Sequence, residues 1–285
     1  MRKERKPKEK GKYHKTLKEQ VKENKKLAVL YVVLRVLVVA VMVAQFFNGN
    51  FENMFLCLLT LVLFMIPSFL EKTVRIDVPD TLEVIILLFI FAAEILGEIQ
   101  AYYIEYPYWD TMLHTLNGFL CAAIGFSLLD ILNRNDRFSL SLSPLYLAIV
   151  AFCFSMTIGV LWEFFEWGMD MFFHLDMQKD AILNGISSVM LDPAKGNAPT
   201  GIQNITDVIV VTADGTRHAL GLGGYLDIGL MDTMKDMFVN FIGAVVFSVI
   251  GFLYVKERGK GRFARRFIPQ VLPETLETPE DSPKP

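Results

Sequence analysis

The stretch LAVLYVVLRVLVVAVMVAQFF, residues 27–47, decides the fold class of this chain. Its only charged residue is Arg35, whose long side chain can extend to the membrane surface. An α-helix needs about 20 apolar residues to cross the roughly 30 Å of hydrocarbon in a bilayer. The stretch therefore predicts a membrane-spanning helix.

Five further apolar stretches follow the first one. The chain has 285 residues, of which 53% are hydrophobic, and its mean hydropathy is +0.38, which is unusual for a soluble domain of this size. The fold class predicted is an all-α integral membrane protein with a bundle of about six helices. The six predicted spans are Leu27–Phe47, Met54–Leu70, Leu82–Tyr102, Asp110–Leu132, Leu145–Trp167 and Asp232–Val255.

Basic residues in the connecting loops predict the orientation. Lys and Arg occur in loops 71–81 and 133–143 and after the last span, whereas loops 48–53 and 103–109 contain none. Cytoplasmic loops are enriched in Lys and Arg. We therefore expect both termini in the cytoplasm and the long loop 168–231 outside.

Three regions follow from this topology. Residues 1–26 form a basic cytoplasmic tail, 27–255 the transmembrane bundle, and 256–285 a second cytoplasmic tail that is basic at first and then rich in Pro and acids. The Pro- and acid-rich part, from Phe267, predicts disorder. The basic N-terminus is typical of a topology signal that also attracts anionic lipid, so we expect membrane lipids and no nucleic acid as partners.

The long external loop has one strand signal. Val208–Thr212 is β-branched and apolar, Asp214-Gly215 follows, and Arg217–Leu220 completes the pattern. Asp-Gly between two such runs predicts a β-hairpin. We therefore expect a small extracytoplasmic β-hairpin insert between the last two spans.

Ionisable residues inside the spans predict the functional site, because charged groups in a membrane are costly. They recur at spacings of three and four, which place them on one face of each helix. All the stripes lie toward the outer ends of spans three to six, so we expect them to converge. The principal candidates are Asp110, His114, Glu163, Glu166, Asp232 and Asp236; the secondary candidates are Glu94, Glu98, Asp170 and Asn240.

Carboxylates packed together repel one another unless they share protons or a cation. Carboxylates with one imidazole suit a divalent metal such as Zn, Mn, Fe or Mg. His114 and Glu163 are also the candidates for a catalytic base or acid, although no nucleophile motif identifies a reaction or decides whether the protein is an enzyme. The pattern predicts no organic cofactor site.

Structural roles remain open for each candidate. Asp110 and Asp232 could cap the helices that they begin, and Glu98 could lie at the membrane interface. His114 could be a hydrogen-bonded packing residue. Glu163 and Glu166 are flanked by Trp162 and Trp167, a pattern that also suits an interfacial position.

Three motifs in order carry a resemblance to a known family. They are WDTMLHTLNG at 109–118, WEFFEW at 162–167, and DTMKDM at 232–237 with Asn240-Phe-Ile-Gly243-Ala244. Over residues 27–255 the chain resembles the bacterial YjdF-type inner-membrane proteins, a family of unknown function. The resemblance implies a bacterial cell membrane and supports the choice of residues, but it implies no activity, substrate or cofactor.

The sequence leaves three functions open. The first is an outward-facing metal site that acts on a lipid-linked or envelope substrate. The second is a transport protein in which the same carboxylates bind a cation or relay protons. The third is a non-catalytic membrane assembly protein. The sequence indicates no oligomeric state.

Overall fold

A computed structural model describes residues 25–69, 76–134, 142–256, 266–268 and 270–271. Most of the predicted basic N-terminal tail and most of the predicted C-terminal tail lie outside these residues. In the described part, five helices are long and apolar enough to cross a membrane. Their lipid-accessible surfaces are apolar; on the first helix, for example, Val32 is 62% exposed and Val36 61%.

Helix α1 spans Lys25–Phe47 and α2 spans Phe51–Leu63. The Asn50 side chain caps α2 by accepting a hydrogen bond of 3.0 Å from the Asn53 backbone N–H. A single turn, α3, follows at Ile66–Phe69. Residues 51–69 together form the second of the five candidate spans.

The predicted third span, Leu82–Tyr102, is the one that is not among the five. Its α-helical part, α4, covers only Asp80–Phe91 and continues as a π-helical segment over Ala92–Ile99. Twelve α-helical residues rise about 18 Å, which is shorter than the roughly 30 Å hydrocarbon layer. A short helix, α5, follows at Tyr102–Glu105.

Three long helices complete the bundle. They are α6 at Trp109–Arg134, α7 at Pro144–Phe173 and α8 at Leu230–Lys256. The Ser143 hydroxyl caps α7 by accepting from the Tyr146 N–H. These three helices pack chiefly on one another, and α1, α2 and α4 form a second apolar cluster beside them.

The insert between α7 and α8 contains three antiparallel strand pairs, where the sequence predicted one. The strands are β2 Ala181–Leu183, β3 Gly185–Ser188, β4 Thr200–Gln203, β5 Ile209–Val211, β6 Arg217–Ala219 and β7 Tyr225–Asp227. Strands β5 and β6 pair across the Asp214-Gly215 turn, and all six of their residues are exposed. Strand β2 pairs with β7, which brings the two ends of the insert together, and β3 pairs with β4.

The first residues of the tail for which the sequence predicts disorder pack on the bundle. Ile268 is 1% exposed within the apolar core of α6, α7 and α8, and the Phe267 ring lies 5.4 Å from that of Phe119. Strand β8, Gln270–Val271, pairs with β1, Ile76–Asp77. The apolar side chains Phe267 and Ile268 can bury surface here, which the composition of the whole tail does not reveal.

Candidate functional site

The site lies at the insert end of the bundle, where α7 ends and α8 begins. Glycines let the helix backbones approach closely at this level. A Cβ atom added at Gly118 of α6 would overlap the Asn240 carbonyl oxygen, and one added at Gly243 of α8 would overlap the Thr115 carbonyl oxygen. Small residues at such contacts are typical of membrane helix packing. Side chains on the three helices are therefore held within reach of one another.

His114 lies at the centre of the site. Its side chain is 10% exposed, and its two ring nitrogens face different helices. Nε2 lies 3.4 Å from Asp110 Oδ1, one turn earlier on α6, and Nδ1 lies 3.9 Å from Glu163 Oε1 on α7. The imidazole therefore links two groups of carboxylates.

Each nitrogen of His114 belongs to a separate group of potential metal ligands. One group is Asp110, His114 and Asp236, and the other is His114, Glu163 and Glu166. Within each group the ligand atoms lie within 4.8 Å of one another. The structure thus brings together five of the six principal candidates, from three helices.

The sixth candidate, Asp232, joins the first group through a lysine. Lys235 Nζ lies 3.4 Å from Asp232 Oδ1, 3.5 Å from Asp110 Oδ2 and 3.8 Å from Asp236 Oδ1. These distances exceed the 2.7–2.9 Å typical of a strong hydrogen bond between an ammonium and a carboxylate. The Lys235 side chain is 43% exposed, so the ammonium lies at the mouth of the site.

Three buried carboxylate oxygens of the site have no hydrogen-bond partner: Asp110 Oδ2, Glu163 Oε2 and Asp236 Oδ1. Asp110 Oδ2 and Asp236 Oδ1 lie within 3.8 Å of the Lys235 ammonium, whereas Glu163 Oε2 is in a residue that is only 4% exposed. Leaving a buried polar atom unpaired is costly, and a buried charge costs more. Glu166 differs, because its Oε1 accepts a 2.8 Å hydrogen bond from Trp162 Nε1.

Asn240 lies one turn below Asp236 on α8 and closes the site toward the middle of the bundle. It is 1% exposed, and its Oδ1 accepts a 3.3 Å hydrogen bond from Asn117 Nδ2. Its own Nδ2 contacts the Met156 sulfur at 3.6 Å. This secondary candidate is thus satisfied by neighbouring side chains beneath the carboxylates.

Asp170 does not join the cluster. Its two carboxylate oxygens accept from the backbone N–H groups of Met177 and Gln178, at 2.6 and 2.8 Å. Asp232 similarly accepts at 2.8 Å from the Lys179 N–H. These carboxylates hold the first residues of the insert against the ends of α7 and α8. Neither Asp110 nor Asp232 is an N-cap, because α6 begins at Trp109 and α8 at Leu230.

Glu94 and Glu98 lie on the π-helical segment and belong to neither potential ligand group. Glu94 is half-buried and Glu98 exposed. Tyr103 connects this segment to the site, since its ring packs on Gly97. Burial raises the pKa of the Tyr103 hydroxyl, and the carboxylates of Glu98, Asp110, Glu94 and Glu166 raise it further. Tyr103 therefore remains protonated between the two sets of carboxylates.

Sequence reasoning missed several side chains that complete the site. Asn117 had a visible signal, because it follows His114 by three residues on the same face of α6. Trp162 was interpreted as an interfacial anchor, and nothing in its spacing indicated that it donates to Glu166. Tyr103 had no signal, since its position depends on the turn between two helices. Apart from this site, the buried Glu83 on α4, which accepts a 2.7 Å hydrogen bond from the Tyr31 hydroxyl on α1, was also overlooked.

Long apolar helices with a polar site between them define the class of this protein as a multi-pass α-helical membrane protein. The chain belongs to the family described as Predicted membrane protein (DUF2238), which matches residues 29–257. The prediction of a membrane protein from an uncharacterised family is thereby confirmed. No curated protein and no solved structure matches the chain.

Proposed function

We propose that the site binds a divalent metal ion between α6, α7 and α8. The observation that carries the proposal is the oxygen Glu163 Oε2, which is buried beside His114 and accepts no hydrogen bond. A metal ion would supply it with a partner. The ligand set proposed is drawn from Asp110, His114, Glu163, Glu166, Asp232 and Asp236.

The charge balance supports a bound cation. Five carboxylates face one ammonium, Lys235, and one imidazole, His114. Even with the imidazole protonated, three negative charges are in excess. In a membrane interior such an excess requires protons or a metal ion.

The Glu163 side of His114 suits the metal better than the Asp110 side. Lys235 already lies within 3.8 Å of Asp110, Asp232 and Asp236, whereas no Lys or Arg in the described part of the chain is paired with Glu163 or Glu166. The carboxylates of α7 therefore lack the compensating positive charge that Lys235 provides to the aspartates. We assign His114 Nδ1, Glu163 and Glu166 as the first ligands.

Nitrogen and oxygen ligands fit Zn, Mn or Fe, and an all-carboxylate arrangement would fit Mg. Ligand bonds of about 2.0–2.2 Å place two ligand atoms about 3.3–3.6 Å apart in a tetrahedral site. The ligand atoms within each group lie within 4.8 Å of one another, so their side chains would move closer together when an ion binds.

The packing of the bundle supports a site that opens on one side only, and we propose a lipid-linked or envelope substrate for it. Beyond Asn240 the three helices meet through fully buried apolar side chains, among them Phe126, Leu147 and Phe247. A transport path would have to cross this apolar layer, so transport is the weaker alternative. A metal held by His114, Glu163 and Glu166 would supply Lewis-acid chemistry and would lower the pKa of a water bound there. A non-catalytic assembly role would not explain why buried carboxylate oxygens of the site lack hydrogen-bond partners.

The proposal includes the finer topology. Six crossings, with α4 and the π-helical segment as the third, place the insert and its β5–β6 hairpin outside and both termini in the cytoplasm of a bacterium, as for the YjdF-type proteins. A reporter active only outside the cytoplasm should work when fused at Gly196 and fail at Lys260. Activity at both positions would refute this topology.

Elemental analysis of the purified protein tests the metal site. We expect close to one equivalent of a divalent metal in the unmodified protein and a clear loss in Glu163→Gln, which keeps the size and removes the charge. The substitution Glu98→Gln is the matched control and should retain the metal. The metal site is refuted if the unmodified protein binds none at micromolar concentration, or if both variants bind equally.

A further inference from the structure

The Lys235 ammonium lies at a point where three carboxylate oxygens converge. Nζ is 3.4 Å from Asp232 Oδ1, 3.5 Å from Asp110 Oδ2 and 3.8 Å from Asp236 Oδ1. These aspartates come from two helices, α6 and α8, so the packing of the bundle brings their oxygens together. The ammonium itself shows that a cation fits between them.

Contacts of the second oxygen orient two of these carboxylates. Asp110 Oδ1 faces His114 Nε2 at 3.4 Å, and Asp232 Oδ2 accepts a 2.8 Å hydrogen bond from the Lys179 backbone N–H. The third carboxylate, Asp236, has a side chain that is 1% exposed, and its Oδ1 accepts no hydrogen bond. The three oxygens that face the ammonium are therefore held ready for a cation.

The ammonium satisfies the three oxygens only in part. Its single positive charge balances one of the three negative charges, and its distances exceed the roughly 2.7–2.9 Å of a strong ammonium–carboxylate bond. A divalent cation carries twice the charge and approaches carboxylate oxygens to about 2.0–2.6 Å. Both differences strengthen the Coulomb attraction to the aspartates. The Lys235 side chain is 43% exposed, so its ammonium has a way out to solvent when such a cation arrives.

We infer that Asp110, Asp232 and Asp236 form a second cation site, in which the Lys235 ammonium competes with a divalent cation. When the divalent cation binds, the three oxygens ligate it and the ammonium moves to the mouth of the site. Because the ammonium is attached to α8 and always present, the site fills only above a threshold concentration of the divalent cation. This inference goes beyond the proposed function, since its ligands are separate from the first ligands assigned on the α7 side.

The ligand chemistry favours a hard cation. A neutral imidazole has one protonated nitrogen and one nitrogen free to bind a metal. With His114 Nδ1 assigned to the metal on the α7 side, the proton is on Nε2, and this nitrogen is not a ligand of the second site. Carboxylate oxygens alone suit Mg, Mn or Ca. This choice of cation rests on the proposed function, whereas the existence of the second site does not.

Counting bound Mn²⁺ tests the inference on the full chain. The purified protein is stripped with a chelator and titrated with Mn²⁺, and the bound ion is counted by electron paramagnetic resonance. We expect Lys235→Met, which keeps a long side chain and removes the charge, to bind one equivalent more than the unmodified protein at the same micromolar concentration. The unmodified protein should reach this additional equivalent only at an Mn²⁺ concentration about tenfold higher or more, which corresponds to a tenfold weaker affinity.

Lys179→Met is the matched control. The Lys179 side chain is 41% exposed and its Nζ lies 3.9 Å from Asp176 Oδ2, so the same change removes an equally exposed charge beside a single aspartate. It should add no ion, and an equal gain in both lysine variants would overturn the inference, as would no gain in Lys235→Met. If Lys235→Met fails to fold, the unmodified protein decides: its weaker equivalent should be lost in Asp232→Asn, and the absence of that equivalent would overturn the inference.

The substitution Glu163→Gln separates this inference from the proposed function. Combined with Lys235→Met, it should remove the metal of the α7 side and leave the additional equivalent in place. If the unmodified protein binds a metal that Glu163→Gln removes, but Lys235→Met gains none, the second site fails alone. If the unmodified protein binds no metal at micromolar concentration but Lys235→Met binds one equivalent, the α7 site fails alone.

Discussion

The two halves of the α6–α7–α8 bundle differ in what fills the space between the same helices. At the insert end, His114 lies between Glu163 and Asp236, and three buried carboxylate oxygens of the site accept no hydrogen bond. At the opposite end, Phe126 and Phe247 interlock at a ring distance of 6.0 Å among fully buried apolar side chains. The apolar half explains why the helices assemble. The buried polar groups of the other half lower the free energy of unfolding of the bundle, as is usual for functional sites.

The largest loss of stability is expected from a substitution in the apolar half. Replacing the buried Phe247 by alanine should cost about 3–5 kcal/mol of folding free energy, because it removes the side chain and leaves a cavity. Thermal unfolding in detergent measures the loss. The control is Phe238→Ala, whose side chain is 62% exposed on the same helix and should matter little. Equal losses in the two variants would mean that the apolar half does not stabilise the bundle.

An intermediate effect is expected from the close contact between α6 and α8, near the level where the polar and apolar halves meet. Gly243→Ala would force a methyl group against the Thr115 carbonyl, and overpacking of this kind typically costs about 1–3 kcal/mol. Gly168→Ala is the matched control, because its new Cβ would meet nothing closer than 4.0 Å and alanine favours helix by about 1 kcal/mol. Thermal unfolding should therefore shift in opposite directions. A shift in the same direction would refute the tight α6–α8 contact.

The smallest effect concerns a carboxylate outside the spans. Hydrogen bonds from Thr212 and Thr216 lower the pKa of Asp214 to about 2. Because the pKa is depressed in the folded chain, the stability it adds to the β5–β6 hairpin is present above the unfolded value of about 3.9. That stability is lost as the pH falls toward 2. NMR titration of the Asp214 carboxyl measures the midpoint, and Thr216→Val should raise it. A midpoint near 3.9 in the unmodified protein would contradict the hydrogen-bonded turn.

The sequence predicted the polar stripes because helical spacing depends only on local geometry. Asp110 with His114, and Asp232 with Asp236, lie on common faces as their separation of four requires. Spacing alone could not distinguish Glu163 and Glu166 from Asp170, because residues three and four apart all lie on one face of α7. The first two point into the bundle, whereas Asp170 lies beyond the end of the packed core and binds insert backbone.

The other differences between the predicted and the observed structure depend on contacts between residues that are distant in sequence. The third apolar stretch contains a π-helical segment, and nothing in its composition distinguished Ala92–Ile99 from ordinary helix. Tyr103 reaches the site because its ring packs on Gly97 across a turn. The burial of Ile268 requires a surface built by three helices, two of which, α6 and α7, are far from it in sequence. Local patterns contain no information on such pairings.

Ile268 also has a consequence for biogenesis. It follows the five described helices that could span a membrane, yet it is 1% exposed in the core that α6, α7 and α8 share. During synthesis the residues of these helices are therefore joined to the chain before the residue that completes their interior. The final closure of this core thus depends on a residue that lies outside the five candidate spans.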